Sequence, residues 1–179
     1  MSNEHIKNTL TAAIGNIKEN PAGAKVVFRA STRLGQGMHC FGKVRDFEEM
    51  SIDEPADLGG TDHGPNPVEL VLVALGTCQE IVYRAYAAVL GIELESVKCD
   101  LRGYLDLRGL FGMQEGIPAG FQKIVFETEI KSSASREELQ KLARIVESHC
   151  PVLNTLQMPV EVSGDVVING QRMELEATA

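Results

Sequence analysis

The chain carries four cysteines, Cys40, Cys78, Cys99 and Cys150, but no Cys-x-x-Cys pair. Zinc sites usually bring their ligands in such close pairs, so a structural metal is not expected despite the His39-Cys40 and His149-Cys150 dipeptides. Long apolar runs are missing too: Leu70 to Leu75 is far too short to span a bilayer. The opening residues, Met1 to Asn8, have no basic start followed by an apolar stretch, so no secretory leader is expected. Blocks of one charge are absent. The 17 basic and 25 acidic residues give a net charge of −8 spread along the chain, with no electrostatic reason to bind nucleic acid or an anionic membrane. No glycine-rich phosphate loop, Ser-His-Asp arrangement, repeat or low-complexity segment occurs, and no cofactor is expected. These absences predict a soluble cytoplasmic protein, in which thiols are kept reduced and a disulfide is transient, catalytic or sensing.

What is present suits one domain with a real core: 179 residues, 44% hydrophobic and 23% charged. Ile6, Leu10, Ala13, Ile14 and Ile17 predict an amphipathic helix over 5–19, stopped by Asn20-Pro21. Residues 25–33 and 38–44 read as two strands joined by the turn Leu34-Gly35-Gln36-Gly37. Residues 53–66 read as a loop, with Asn66 as N-cap and Pro67 at the first position of a helix running to about Leu90. The first half of that helix is apolar nearly all round and must be covered on every side, which one small sheet does not achieve. A second subunit is the expected cover. Alternation over 97–107 predicts a strand with Cys99 on its buried face, a core cysteine. The same period recurs over 124–130 and 160–168. Ser135 and Glu138 form a capping box for a helix whose inward positions are Leu139, Leu142, Ala143 and Val146.

Four residues after Val146 comes Cys150, so it continues that inward face. Cys78 lies midway along the helix that begins at Pro67, where its apolar half ends. Two inward-facing thiols, one at a helix end, are an arrangement that allows a reversible disulfide and suggests redox chemistry. Pro151 starts a further short helix over Val152 to Leu156, with Cys150 as its N-cap. That helix start favours thiolate character and the end of the preceding helix opposes it, which leaves the sign open.

Leu58-Gly59-Gly60, then Asn66-Pro67-x-Glu69-Leu70, then Cys78 in the same helix and His149-Cys150-Pro151 after a second one, resemble the OsmC/Ohr family of thiol-dependent hydroperoxide reductases. The resemblance runs from about residue 25 to 170. It implies an α+β OsmC-like fold, with strands wrapped around long central helices in an intertwined homodimer. Residues 1–179 then form a single domain with an N-terminal helical extension at about 1–20. By resemblance Cys78 matches the peroxidatic cysteine and Cys150 the resolving one. The first thiolate attacks the distal peroxide oxygen and becomes a sulfenic acid, which condenses with the second thiol. Family members are re-reduced by small or protein-bound dithiols.

Cys78 sits mid-helix, with no helix N-terminus to stabilise a thiolate, so a reactive site needs a positive or hydrogen-bonding group beside the sulfur. The family uses an arginine from the first hairpin. Arg33 is the nearest match, with Arg45 and Arg29 as alternatives because the turn lacks the family's Gly-Arg-Asp-Gly pattern. The family's arginine is oriented by a glutamate directly after the Asn-Pro pair. Here Val68 holds that place and Glu69 comes next. At about 100° per residue, Glu69 falls on the side of the helix opposite Cys78. The clamp is then rebuilt from the loop, through Asp57 or Asp62, or it is absent. Glu80 and Arg84 fall on the same far side as Glu69 and read as an ion-paired surface. His149 reads as a favourable contact with the helix C-terminus.

The expected function is reduction of hydroperoxides, organic ones because the thiol sits among Val, Leu and Ala, with a dithiol as reductant. The alternative is an OsmC-fold redox sensor or small-molecule binding protein with weak or no turnover, which the displaced glutamate favours.

Overall fold

A computed structural model describes residues 2–173. Helix α1, Asn3–Glu19, begins where Ser2 accepts a hydrogen bond from the His5 N–H. It lies against the long helix α2, Pro67–Leu90, and Asn3 anchors it by donating to Glu93 at 2.9 Å. Strands β1 (Ser31–Leu34), β2 (Cys40–Lys43) and β3 (Met50–Ile52) form an antiparallel sheet in that order. The expected turn joins the first two: the Gly35 N–H donates to the His39 carbonyl at 2.7 Å, and Leu34 pairs with Cys40.

Residues 25–30 do not extend β1 as expected. The β1–β2 ladder ends at the Ser31–Lys43 pair, and a strand forms only where its backbone groups find a partner. Among the described residues this segment has no ladder partner, and Val27 is 76% and Phe28 92% exposed.

Asn66 caps α2 by accepting from the Glu69 N–H, and the Glu69 carboxylate accepts from the Asn66 N–H at 2.8 Å, a complete capping box. Gly91 ends the helix with φ +73°, a conformation in which a side chain is strained. Halfway along, Gly76 lets α2 approach the next strand closely. A Cβ there would lie 2.7 Å from Leu101 Cδ1.

That strand, β4 (Ser96–Tyr104), pairs antiparallel with β5 (Lys123–Lys131), from Ser96–Lys131 to Tyr104–Lys123. The alternation expected through Leu107 stops early. The Asp106 carboxylate accepts from the Arg108 N–H at 2.9 Å and caps a one-turn helix, α3 (Leu107–Leu110). Helix α4, Arg136–His149, opens on the predicted Ser135–Glu138 capping box, and α5, Pro151–Gln157, follows with Cys150 between them. Of the last predicted strand only β6, Val166–Ile168, is regular, paired with β7, Gln171–Met173. Residues 160–164 find no ladder among the described residues, for the same reason as 25–30.

Two buried clusters hold α2, α4 and the β4–β5 pair together. Tyr83, Ala87, Ile92, Leu94, Leu142 and Val146 form the larger, and Leu75, Cys150 and Leu153 the smaller. Burying a side chain such as Leu142 or Val146 contributes about 1.5–3 kcal/mol. The expected inward face of α4 is thus the packed one, and it delivers Cys150 into the core.

Candidate functional site

The two thiols meet. Cys150 Sγ lies 3.4 Å from Cys78 Sγ, both in reduced form. Proline explains much of this. Its ring disfavours a helical conformation in the residue before it, so Cys150 leaves α4 at φ −75°, ψ 113° and Pro151 restarts the chain as α5. The Cys150 N–H still bonds the Val146 carbonyl at 2.8 Å, and its own carbonyl accepts from Asn154 N–H at 3.0 Å. Both backbone groups are satisfied while the side chain turns inward.

Cys150 is fully buried and Cys78 half-buried. Burial pushes the Cys150 thiol up from its ordinary value, against the opposing pull of the Leu153 and Val152 N–H groups at the start of α5, and the adjoining Cys78 adds to the rise. The sign that the sequence leaves open is therefore upward, because desolvation outweighs the helix start.

Leu75 and Leu153, which pack against Cys150, also form part of the wall of an apolar cavity of about 520 Å³. Val68, Val71, Ile124 and Phe126 line it further, and Lys123 adds a charge. The sulfur atoms do not line this cavity directly; they lie behind the two leucines. Among the described residues no cluster of His, Cys, Asp and Glu is suited to hold a metal ion.

Arg33 lies on β1, exposed, and its partners are Phe41 on β2 and Glu49 just before β3. Its guanidinium stacks over Phe41 at 4.0 Å and donates to Glu49 at 2.6 and 3.4 Å. That hydrogen bond holds the Glu49 carboxyl below its usual range. No cation is hydrogen-bonded to Cys78 among the described residues; its sulfur is paired with Cys150 alone. Of the alternatives, Arg45 stacks over Phe47 at 4.5 Å, and Arg29 lies in the exposed unpaired segment.

Glu69 is committed to the α2 capping box, so it makes no arginine clamp. Asp57 and Asp62 are exposed, and neither forms an ion pair with an arginine among the described residues. The loop depends instead on Asp53, which in the sequence reads only as one of several turn residues. It is 2% exposed and accepts from the Thr61 hydroxyl at 2.6 Å and from the Glu54, Thr61 and His63 N–H groups. The Thr61 hydroxyl, with those N–H groups, holds its carboxyl far below the usual carboxylate range. An aspartate between a strand and a glycine-rich turn was the available signal.

Glu80 and Arg84 do not pair with each other as the sequence suggests. Glu80 accepts from the Cys99 N–H at 3.1 Å, and Arg84 donates to the Leu94 carbonyl at 3.1 Å. Both stitch α2 to the β4 side of the fold. Cys99 faces Thr128 at 3.4 Å on the inward side of β4, its thiol pushed up by burial, but it is only half-buried and joins neither cluster, so the expected core position is reached in part. His149 Nδ1 lies 2.9 Å from the Ile145 carbonyl, which makes the imidazole part of the end of α4.

Several known proteins share this architecture. The family model described as OsmC-like protein matches residues 60–164. YmaD of Bacillus subtilis (strain 168), named as an uncharacterized protein, is 28% identical over 118 residues, 63% of this chain and 73% of its own. An OsmC-like protein from Mycoplasma pneumoniae superposes with a TM-score of 0.64 at 20% identity, covering 74% of this chain and 89% of that one. An organic hydroperoxide resistance protein OsmC from Legionella pneumophila gives 0.57 at 21% identity, covering 74% and 92%. With the element order, the paired thiols and a family match over more than half its length, this chain belongs to the OsmC-like protein family.

Proposed function

We propose that the protein is a two-cysteine thiol peroxidase that reduces organic hydroperoxides, with Cys78 attacking and Cys150 resolving. The observation that carries the reading is the 3.4 Å approach of the two sulfurs beside an apolar cavity. Cys78 is the more accessible thiol. Cys150, buried and pushed up, is held as a neutral thiol at neutral pH, as a resolving residue needs to be until a sulfenic acid forms next to it. An alkyl hydroperoxide suits the cavity because its lining is mainly Val, Leu, Ile and Phe. A dithiol then returns the disulfide to the reduced pair.

We further assign residues 1–179 to one OsmC-like domain with α1 as an N-terminal extension over about 1–20, and the working unit to a homodimer. The exposed apolar face of α2, with Val73 53% and Ile81 68% exposed, and the unpaired Val26–Phe28 segment support a second copy as cover. In such a dimer Arg33, which has no bond to Cys78 within its own chain, serves the partner's thiol.

Coupled consumption of cumene hydroperoxide with dihydrolipoic acid as reductant tests this reading. Turnover by the native protein and none by Cys78→Ser is the expected result. No turnover by the native protein, with a disulfide that still forms and is reduced, would favour a redox sensor instead. That second reading draws on one observation: Glu69 is tied into the helix cap and Arg33 is held by Glu49, so no clamp is assembled within the chain.

A further inference from the structure

Gln79 follows Cys78 on α2 and is 1% exposed, yet its amide Nε2 has no hydrogen-bond partner among the described residues. A buried amide donor without an acceptor is unfavourable, and native proteins rarely keep one. Its place in the helix suggests a use. Leu75, Gln79 and Tyr83 follow one another at four-residue spacing and share one face of α2. Leu75 packs in the cluster of Cys150 and Leu153, and Tyr83 in that of Leu142 and Val146. Gln79 therefore lies at the seam of the two clusters, at the level of α4 between Val146 and Cys150.

Cys150 packs with Leu75 and Cys78, whereas Val82 packs with the Tyr83 and Val146 cluster, so the change from one cluster to the other along α2 falls at Gln79. The unpartnered amide thus belongs to the α2 face that packs against Cys150 and Val146, one residue along the chain from Cys78. Reduced thiols are weak acceptors and make little use of such a donor. Oxidation changes that, because a sulfenic acid or sulfenate carries an oxygen with free lone pairs.

We propose that Gln79 is a positioning residue for the oxidised intermediate: its buried amide N–H donates to the oxygen that a hydroperoxide leaves on the thiol pair. The inference rests on the peroxidase reading above. In the first step the Cys78 thiolate forms an S–O bond to the distal oxygen, the O–O bond breaks, and the departing alkoxide takes a proton to leave as the alcohol. In the second, Cys150 sulfur attacks Cys78 sulfur, the S–S bond forms, and the S–O bond breaks. The hydroxyl leaves as water with the proton of Cys150. Between these steps the amide holds the oxygen and draws charge from the sulfenate, so its sulfur attacks a second peroxide less readily and the sulfinic acid forms more slowly. It then assists the same oxygen as it leaves.

The test compares Cys150→Ser with the double variant carrying Gln79→Met as well, a near-isosteric change without the donor. Each is treated with excess cumene hydroperoxide in the presence of dimedone, and the Cys78 products are resolved by mass spectrometry. The dimedone adduct should fall about tenfold in the double variant, the scale of one lost hydrogen bond, with sulfinic acid rising in its place. The melting temperature of the reduced double variant should be equal or higher, because an unsatisfied donor has been removed. Equal adduct yields would overturn the role of Gln79 while leaving the peroxidase reading intact. No adduct in Cys150→Ser itself would overturn the peroxidase reading and this role together. A measurement without any change at Gln79 gives a second check. In Cys150→Ser the side-chain amide resonance of Gln79 should shift when one equivalent of peroxide is added, and an unmoved resonance overturns the proposal.

Discussion

Cys78 and Cys150 are 72 residues apart in the chain and 3.4 Å apart at their sulfurs, brought together where the bend between α4 and α5 meets the middle of α2. A disulfide requires about 2.05 Å, so the two must close by somewhat more than 1 Å, a distance that side-chain rotation at a half-buried residue supplies. The other two thiols are engaged elsewhere, Cys99 with Thr128 and Cys40 within the first sheet.

One equivalent of an alkyl hydroperoxide should therefore link Cys78 to Cys150 within a subunit. Peptide mapping under non-reducing conditions checks this, and Cys40 or Cys99 as the dominant partner would refute the pairing. Cys150→Ser should still complete one turnover and leave Cys78 as a trappable sulfenic acid.

The bend itself is open to test through Pro151. Pro151→Ala removes the restriction on Cys150 and allows α4 to continue through it, carrying the sulfur away from Cys78. Disulfide formation should slow by about tenfold or more, whereas stability should change by only about 1 kcal/mol, since the substitution acts largely on chain entropy. An unchanged rate of closure would mean that packing of Leu153, rather than proline, sets the bend.

Much of this was legible in the sequence because it rests on local chemistry. Asn66-Pro67, Ser135-x-x-Glu138 and Cys150-Pro151 each specify a helix boundary through a hydrogen bond or a ring constraint, and each lies where expected. The failures have a common cause in pairing. Residues 25–30 are rich in strand-forming Val and Phe and 160–164 alternate, but neither pattern says whether a partner strand exists. Asp53 reads in the sequence only as a turn residue, because a buried carboxylate is recognised by the N–H groups that converge on it, and those come from residues up to ten positions away. Gln79 was invisible for a related reason: its missing partner is a property of packing, not of sequence.

The raised thiol at Cys150 has a consequence for stability. A thiol is charged when deprotonated, so a raised value means that the folded protein holds the proton more tightly than the unfolded chain. The stability so gained is fully present below the unfolded thiol value of about 8.5 and is lost as pH rises through the folded value. Cys99 and Tyr83 are also raised by burial and act in the same direction. The reduced protein should lose melting temperature as pH rises above about 8.5, and Cys150→Ala should lose less. A steeper alkaline loss in Cys150→Ala would contradict the upward direction.

Arg33 and Glu69 can be separated by what each substitution disturbs. If Arg33 stabilises the Cys78 thiolate across a dimer, Arg33→Ala should slow alkylation of Cys78 by a small neutral reagent near neutral pH, with each tenfold fall corresponding to about 1.4 kcal/mol of lost thiolate stabilisation. Glu49→Ala should produce a smaller fall, because it frees the guanidinium that Glu49 now holds at 2.6 Å without removing it. Glu69→Ala should leave the alkylation rate nearly unchanged and lower stability by about 0.5–1.5 kcal/mol, the worth of a capping hydrogen bond. Alkylation rates of the three variants, read beside their denaturation midpoints, distinguish the roles. A large loss of thiol reactivity in Glu69→Ala with none in Arg33→Ala would place the carboxylate at the sulfur and remove the arginine from the site.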